Sequence, residues 1–245
     1  MDLEMAWTIA RKDLRTFRRR KSIFYGVALL PLFLAVLLSG LIWWIMQPPA
    51  VISDATLTNL LSSLSFIFVI IASFISTGIS SYSIVGEKVE KSLEPLLASP
   101  ASDDEILLGK YLAAFMPTII AIYIALGIYI GLTDALTSGR LGYIFYPDLG
   151  MAIILILVAP LTALLSVGLN VLVSSKVNDV RTATQLGVLA TLPFYAIYVG
   201  SEIGAIPLNA TNLLILAAVL LIAVVTLFYL SRAIFRREEI LTKWK

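Results

Sequence analysis

Six long stretches without a charged residue run through this chain, at 22–53, 55–86, 111–133, 149–175, 182–201 and 203–231. Each holds at least the roughly 20 residues that an α-helix needs to cross a hydrocarbon core about 30 Å thick. Lipid offers no partner to a backbone N–H or C=O, so a chain buried there must satisfy both within itself, as helices do. The fold class that follows is an all-α membrane protein with six transmembrane helices. Composition agrees, with 59% of residues hydrophobic and only 14% charged. The first run is too long for the core of a signal peptide, and 47–53 has no small-x-small cleavage pattern, so it counts as a span.

The basic residues set the expected orientation. Arg11, Lys12, Arg15, Arg18, Arg19, Arg20 and Lys21 precede the first span, and Lys88, Lys91 and Lys110 lie between the second and third. Lys176 and Arg181 lie between the fourth and fifth, and Arg232, Arg236, Arg237, Lys243 and Lys245 follow the sixth. That places 17 of the 18 Lys and Arg on one side, with Arg140 alone on the other. The positive-inside rule then predicts a multi-pass cell-membrane protein with both termini in the cytoplasm.

Residues 1–21 read as a helix lying on the membrane. Leu3, Trp7, Ala10, Leu14 and Phe17 recur at helical spacing as one apolar stripe, with Arg11, Lys12, Arg15 and Arg18 elsewhere. The plainer alternative is a basic flank that only fixes topology. Residues 22–231 form the six-span domain, and 232–245 a basic cytoplasmic tail. The external loops are short and leave no room for an extracellular domain. Pro31, Pro117, Pro160 and Pro193 are expected kinks. The fifth span is broken up by Pro193, Gly200 and Gly204, so it reads either as a full crossing or as a helix followed by a short re-entrant or surface piece near Pro207. Asn209-Ala210-Thr211 is a glycosylation sequon, but a cap on the last helix is the simpler role for Asn209. The second span carries Ser62, Ser63, Ser65, Ser73, Ser76, Thr77, Ser80, Ser81 and Ser83. Such residues either let helices pack closely or line a path for a partly polar solute; packing is favoured.

Several chemistries are excluded. The chain has no histidine and no cysteine, which removes the common metal constellations and any Ser-His or Cys-His nucleophile. Gly109-Lys110 is not a phosphate-binding loop, because Asp104 stands where the first glycine would be. No charged residue falls in the middle of a confident span, which argues against a proton- or sodium-coupled carrier. No catalytic residue, metal site or cofactor is expected in this chain.

One polar island interrupts the apolar runs in mid-chain, residues 86–110, GEKVEKSLEPLLASPASDDEILLGK. Ser92 can cap a short helix over 93–98, with Pro95 tolerated in its first turn and Pro100 ending it. Leu93, Leu96 and Leu97 then form one apolar edge. Ser102-Asp103-Asp104-Glu105 reads as a capping box with acids at the positive end of the next helix, which continues through Ile106-Leu107-Leu108 into the third span. The picture is a short amphipathic helix suspended between the ends of two membrane helices.

At these residues the chain resembles the type-2 ABC exporter permeases. The likeness rests on Gly86-Glu87-Lys88, Ser92-Leu93-Glu94-Pro95-Leu96-Leu97, Ser99-Pro100 and Glu105-Ile106-Leu107-Leu108-Gly109-Lys110. It departs at Lys91-Ser92, where the family pattern has Gly-Thr, and at Ala101, where it has Val. The rest of the chain shares the basic N-terminal helix, the six spans and a second polar loop at 174–183. The resemblance implies a membrane subunit without its own ATPase, paired with a second permease copy or homologue and with P-loop ATPase subunits. ATP and Mg would be bound by the ATPase partner. By carry-over, the coupling helix would dock on the ATPase through Glu87, Glu90, Ser92, Leu93, Glu94, Pro95, Leu96, Leu97 and Pro100. Lys176, Asp179 and Arg181 would make a lesser contact. Membrane lipids are the other partners, and no nucleic-acid partner is expected. The competing readings are a channel or secondary transporter working without ATP, and an intramembrane lipid-modifying enzyme, for which no cluster of acids or histidines is present.

Overall fold

The structure is a computed structural model that describes residues 3–47, 53–89, 100–177 and 179–234. All regular secondary structure among the described residues is helical. In chain order the α-helices are α1 (Leu3–Arg19), α2 (Lys21–Ile45), α3 (Asp54–Val89), α4 (Asp103–Leu141), α5 (Leu149–Ile153), α6 (Ala159–Lys176), α7 (Val180–Val188), α8 (Leu192–Glu202) and α9 (Ala210–Ile234). Six continuous helical stretches are long and apolar enough to cross a membrane. They are α2, α3, α4, α5 running into α6, α7 running into α8, and α9.

Prolines explain the joints. A π turn at Ile154–Val158 joins α5 to α6 and leads into Pro160. Proline cannot donate the usual bond to the carbonyl four residues back, and the wider turn makes room for its ring. A 3₁₀ turn at Leu189–Thr191 joins α7 to α8 immediately before Pro193. The helical stretch from Val180 to Glu202 is therefore continuous across this joint, and long and apolar enough to cross a membrane. A tight turn follows, with Ala205 and Ile206 both donating to the Gly200 carbonyl. Gly204 takes φ +74 there, a conformation open to glycine. Asn209 caps α9, its side chain accepting from the Asn212 N–H at 2.8 Å. Pro31 and Pro117 sit inside α2 and α4.

α3 is the centre of the bundle. In the 18-residue stretch that marks it as a candidate span, 78% of residues are buried, against 50% or less in the corresponding stretch of each other span. It packs on α2, α4, α6, α7 and α8. Its core side chains include Leu57, Leu61, Phe68 and Ile75, which meet Ile122, Leu126 and Tyr129 of α4 and Val167 and Val171 of α6.

The hydroxyl residues of α3 serve this packing. Ser73 shares a 2.6 Å hydrogen bond with Ser166 of α6, and Ser76 donates to Thr118 of α4 at 3.2 Å. Asn170 of α6 donates to the Thr77 carbonyl and to the hydroxyls of Ser80 and Ser81, at 2.7–2.9 Å. Small residues let the backbones approach and hydroxyls then find partners across the gap. The approach is close at Gly187 of α7, where a Cβ would lie 2.6 Å from Thr77 Cγ2 and 2.8 Å from Asn170 Oδ1.

Two helices outrun a bilayer. At 1.5 Å per residue, α3 is about 54 Å long and α4 about 58 Å, against a hydrocarbon core of about 30 Å. α4 also extends past Asp134 and ends only at Gly142 with φ +75. The Asp134 carboxylate accepts from the N–H groups of Phe145 and Tyr146, pinning the following loop to the helix. Tyr146 donates onward to the Leu61 carbonyl at 2.8 Å, and burial pushes its phenol above the ordinary value.

Candidate functional site

The capping box forms as the residue types require. The Ser102 hydroxyl accepts from the Glu105 N–H, and the Glu105 carboxylate accepts from the Ser102 N–H at 2.9 Å. Three acids fill the first turn of α4, at the positive end of its dipole. α4 thus starts firmly at Asp103, directly after the 86–110 loop has turned at Pro100. Pro100 itself is exposed. Residues 90–99, which carry Glu90, Ser92, Leu93, Glu94, Pro95, Leu96 and Leu97, lie outside the described residues.

At the two roots of that loop the structure builds a buried ionic cluster. Lys110 of α4 is only 3% exposed. Its ammonium lies 2.9 Å from Asp13 Oδ2 of α1, 2.6 Å from Glu87 Oε2 of α3 and 2.7 Å from the Ser83 carbonyl of α3. Two of the lysine's three N–H donors serve Asp13 and the Ser83 carbonyl, while Glu87 Oε2 faces the ammonium as an ion pair without a hydrogen bond. The Ser83 hydroxyl donates to the same Asp13 oxygen at 2.6 Å. Lys12 completes the cluster from α1, at 2.7 Å from Glu87 Oε1. Two ammonium groups and two carboxylates leave it neutral. Buried charges are tolerable only when paired and hydrogen-bonded in this way.

Glu87 is enclosed within this cluster. The resemblance puts it among the residues that touch an ATPase, but its side chain is 7% exposed and both carboxylate oxygens face ammonium groups of this chain. The physical reason is Lys110, whose charge cannot be buried alone.

The N-terminal helix also packs one face against the bundle. Its buried residues are Ala6, Ile9, Ala10, Asp13 and Phe17, while Leu3 and Trp7 remain 66% and 46% exposed. The stripe predicted from apolar residues alone leaves out Asp13, which Lys110 draws inward. Gly109 permits the contact. A Cβ there would lie 2.8 Å from the Ala6 carbonyl and 2.9 Å from the Ile9 Cβ, so only glycine lets α1 lie close enough for Asp13 to reach Lys110.

A second tie secures the same end of α4, where Arg232 of α9 lies 2.7 Å from Asp104. The base of α4 is thereby held to α1, α3 and α9 by charge. The lesser polar loop sits beside it in sequence only in part: Lys176 ends α6, and Asp179 caps α7. The Asp179 carboxylate accepts from the Thr182 N–H at 2.8 Å and from its hydroxyl at 2.9 Å. The backbone bond, then the hydroxyl, holds Asp179 below the usual carboxylate range. Arg181 is exposed. Among the described residues no group of His, Cys, Asp and Glu could hold a metal ion.

Lys12, Asp13, Ser83 and Lys110 are absent from the sequence-predicted site. One signal was available in Asp13, the only acid among the seven basic residues from Arg11 to Lys21, at the helical spacing of Ala6, Ala10 and Phe17.

Residues 7–211 match the family described as ABC-2 family transporter protein, and the chain belongs to that family. No curated protein matches it. Family and fold together make it a permease subunit of an ABC transporter, a multi-pass membrane protein.

Proposed function

We propose that this ABC-2 permease subunit is the membrane part of an ATP-driven exporter, lacks an ATPase of its own, and is moved by a separate nucleotide-binding subunit through residues 86–110. The observation that carries the reading is the Lys110 cluster. It ties both roots of the loop, Glu87 and Lys110, to each other and to α1. A displacement of the loop by a partner would be passed to α3, the central helix, and to α4 together, because their ends are joined by ion pairs. The positive-inside rule puts this end of the bundle, with both termini, in the cytoplasm.

The roles divide along the loop. Ser92, Leu93, Glu94, Pro95, Leu96, Leu97 and Pro100, with Glu90, supply the surface for the ATPase. Glu87 acts one step inward, as a strut that transmits the push. Asp179 and Arg181, at the start of α7, and Lys176 make the lesser contact. A second permease copy or homologue completes the translocation path. ATP and Mg are bound by the ATPase partner, whose closure would drive alternating access across the paired spans.

The test is purification of the full chain from its native membrane in mild detergent, with mass spectrometry of what accompanies it. Recovery of a P-loop ATPase that is lost in Leu93→Ala, Glu94→Ala and Leu97→Ala variants, with membrane insertion intact, is the expected result. ATPase binding that survives all three substitutions would put the docking edge elsewhere. A chain recovered alone that moves solute in proteoliposomes without nucleotide would make it a channel or secondary carrier instead.

A further inference from the structure

At the end of the bundle opposite the Lys110 cluster, a cavity of about 610 Å³ opens between the first turns of α3, the start of α5, the end of α8 and the turn into α9. Small-molecule sites occupy about 300–1,000 Å³. The lining combines the polar Asn59, Ser63, Asp148, Ser201 and Glu202 with the apolar Leu60, Pro207 and Leu208. Its polar groups are held in place by the fold. The Ser63 hydroxyl donates to the Asn59 carbonyl at 3.0 Å and lies 3.3 Å from the Ser201 hydroxyl, which ties α3 to α8. Asp148 accepts from the N–H groups of Gly150 and Met151 at 3.1 and 3.0 Å. Glu202 has the Tyr198 hydroxyl as its hydrogen-bond partner.

We propose that this cavity binds an organic cation, a molecule with an ammonium or similar charged centre on an apolar body. Asp148 and Glu202 put two negative charges on the lining, and no Lys or Arg lines it. Hydrogen bonds from N–H and O–H groups orient those carboxylates without cancelling their charge. Among the described residues neither acid forms an ion pair with a base. By sequence Arg140 is the only Lys or Arg at this end, and it lies 3.3 Å from Asp54. A cleft lined by one sign of charge between low-dielectric walls concentrates the opposite charge. Size and the apolar groups then select an organic cation over a metal ion. A bare ion would fill a small part of the space and leave Leu60, Pro207 and Leu208 without a contact. Nor do three acids come together among the described residues to hold one. The positive-inside rule puts this end outside the cytoplasm, so the ligand is exchanged with the outer side. The site needs only the folded bundle and stands whether or not an ATPase drives the chain.

The experiment titrates tetraphenylphosphonium, an apolar monocation, onto the full chain in phosphatidylcholine nanodiscs, with uptake by empty nanodiscs subtracted. Wild type is expected to bind it saturably. Asp148→Asn and Glu202→Gln each remove one charge at nearly constant shape, and Asn caps a helix about as well as Asp. Each should weaken binding about fivefold, the ratio of a difference near 1 kcal/mol for a part-exposed charge pair. Ser62→Phe fills the cavity without touching a charge and should weaken binding as well. Asp54→Asn changes an acid of the same end that does not line the cavity, and should leave the affinity unchanged. Absence of saturable binding in wild type would overturn the site. So would unchanged affinity in both lining-acid variants. Equal weakening in Asp54→Asn would reduce the effect to diffuse attraction by an acidic face and overturn it too.

Discussion

Lys110 of α4 and Asp13 of α1 meet at 2.9 Å inside the protein, joining the N-terminal helix to the root of the 86–110 loop. Removing the ammonium by Lys110→Met leaves Asp13 buried without its counter-charge and Glu87 with Lys12 alone. Breaking a buried pair from one side costs about 3–5 kcal/mol. The double variant Asp13→Asn, Lys110→Met removes one charge of each sign and should recover much of that loss. Thermal unfolding in detergent measures the stability, and transport with the cognate ATPase measures coupling. Equal destabilisation in the single and double variants would mean that charge pairing is not what holds α1 in place.

Gly109 is the steric condition for that pair. A valine there would set its Cβ within 3 Å of the Ala6 carbonyl and the Ile9 Cβ, so α1 must shift or lift. Overpacking of this kind costs about 1–3 kcal/mol. With α1 raised, its arginines become better trypsin substrates, and faster cleavage between Arg11 and Lys21 is the expected readout. Unchanged cleavage in Gly109→Val would place the close contact elsewhere.

Further into the bundle, Asn170 should prove the most sensitive polar residue of the core. Its amide donates to three oxygens of α3, and Asn170→Ala would leave two hydroxyls and a carbonyl with one partner fewer. Hydrogen bonds between membrane helices contribute about 0.6 kcal/mol on average and about 1.7 at most. Gly187→Ala should cost about 1–3 kcal/mol by overpacking against Thr77. Equilibrium unfolding in mixed detergent would rank the two, with glycine substitution the more damaging. The opposite order would make the hydrogen bonds between α6 and α3, rather than the backbone approach at Gly187, the stronger support around Thr77.

How far these features could be read from the chain follows from the range of the interaction behind each. The spans depend on runs of consecutive residues, and the Ser102–Glu105 box on a spacing of three, so both are local and visible in the sequence. Asn209 as a cap is local in the same sense. Lys110 and Asp13 are 97 positions apart, and nothing near either one announces the other. Apolar patterning therefore shows the stripe with Leu3 and Trp7, but not that Ala6, Ile9 and Asp13 of α1 pack against the bundle. The ion pairs of Glu87 with Lys12 and Lys110 were hidden for the same reason, since both partners stand on other helices. Hydroxyl residues on α3 were legible as a packing surface, but not the helix each would face. The fifth span stayed ambiguous because Pro193 breaks helical patterning in sequence, whereas in the fold one 3₁₀ turn absorbs it.

Acid should loosen the start of α7. Asp179 accepts from the Thr182 N–H and hydroxyl only as a carboxylate, and those bonds lower its pKa from the ordinary 3.8. A group whose pKa is lower in the folded state stabilises that state at pH values above its unfolded value. The contribution is therefore complete above 3.8 and disappears as pH falls through the lower folded value. Protection of the Thr182 amide from hydrogen exchange, corrected for intrinsic rate, should decline over that interval. Asn caps a helix about as well as Asp without titrating, so Asp179→Asn should keep the cap and flatten the pH dependence. Protection that declines equally in wild type and Asp179→Asn would trace the acid response to another group.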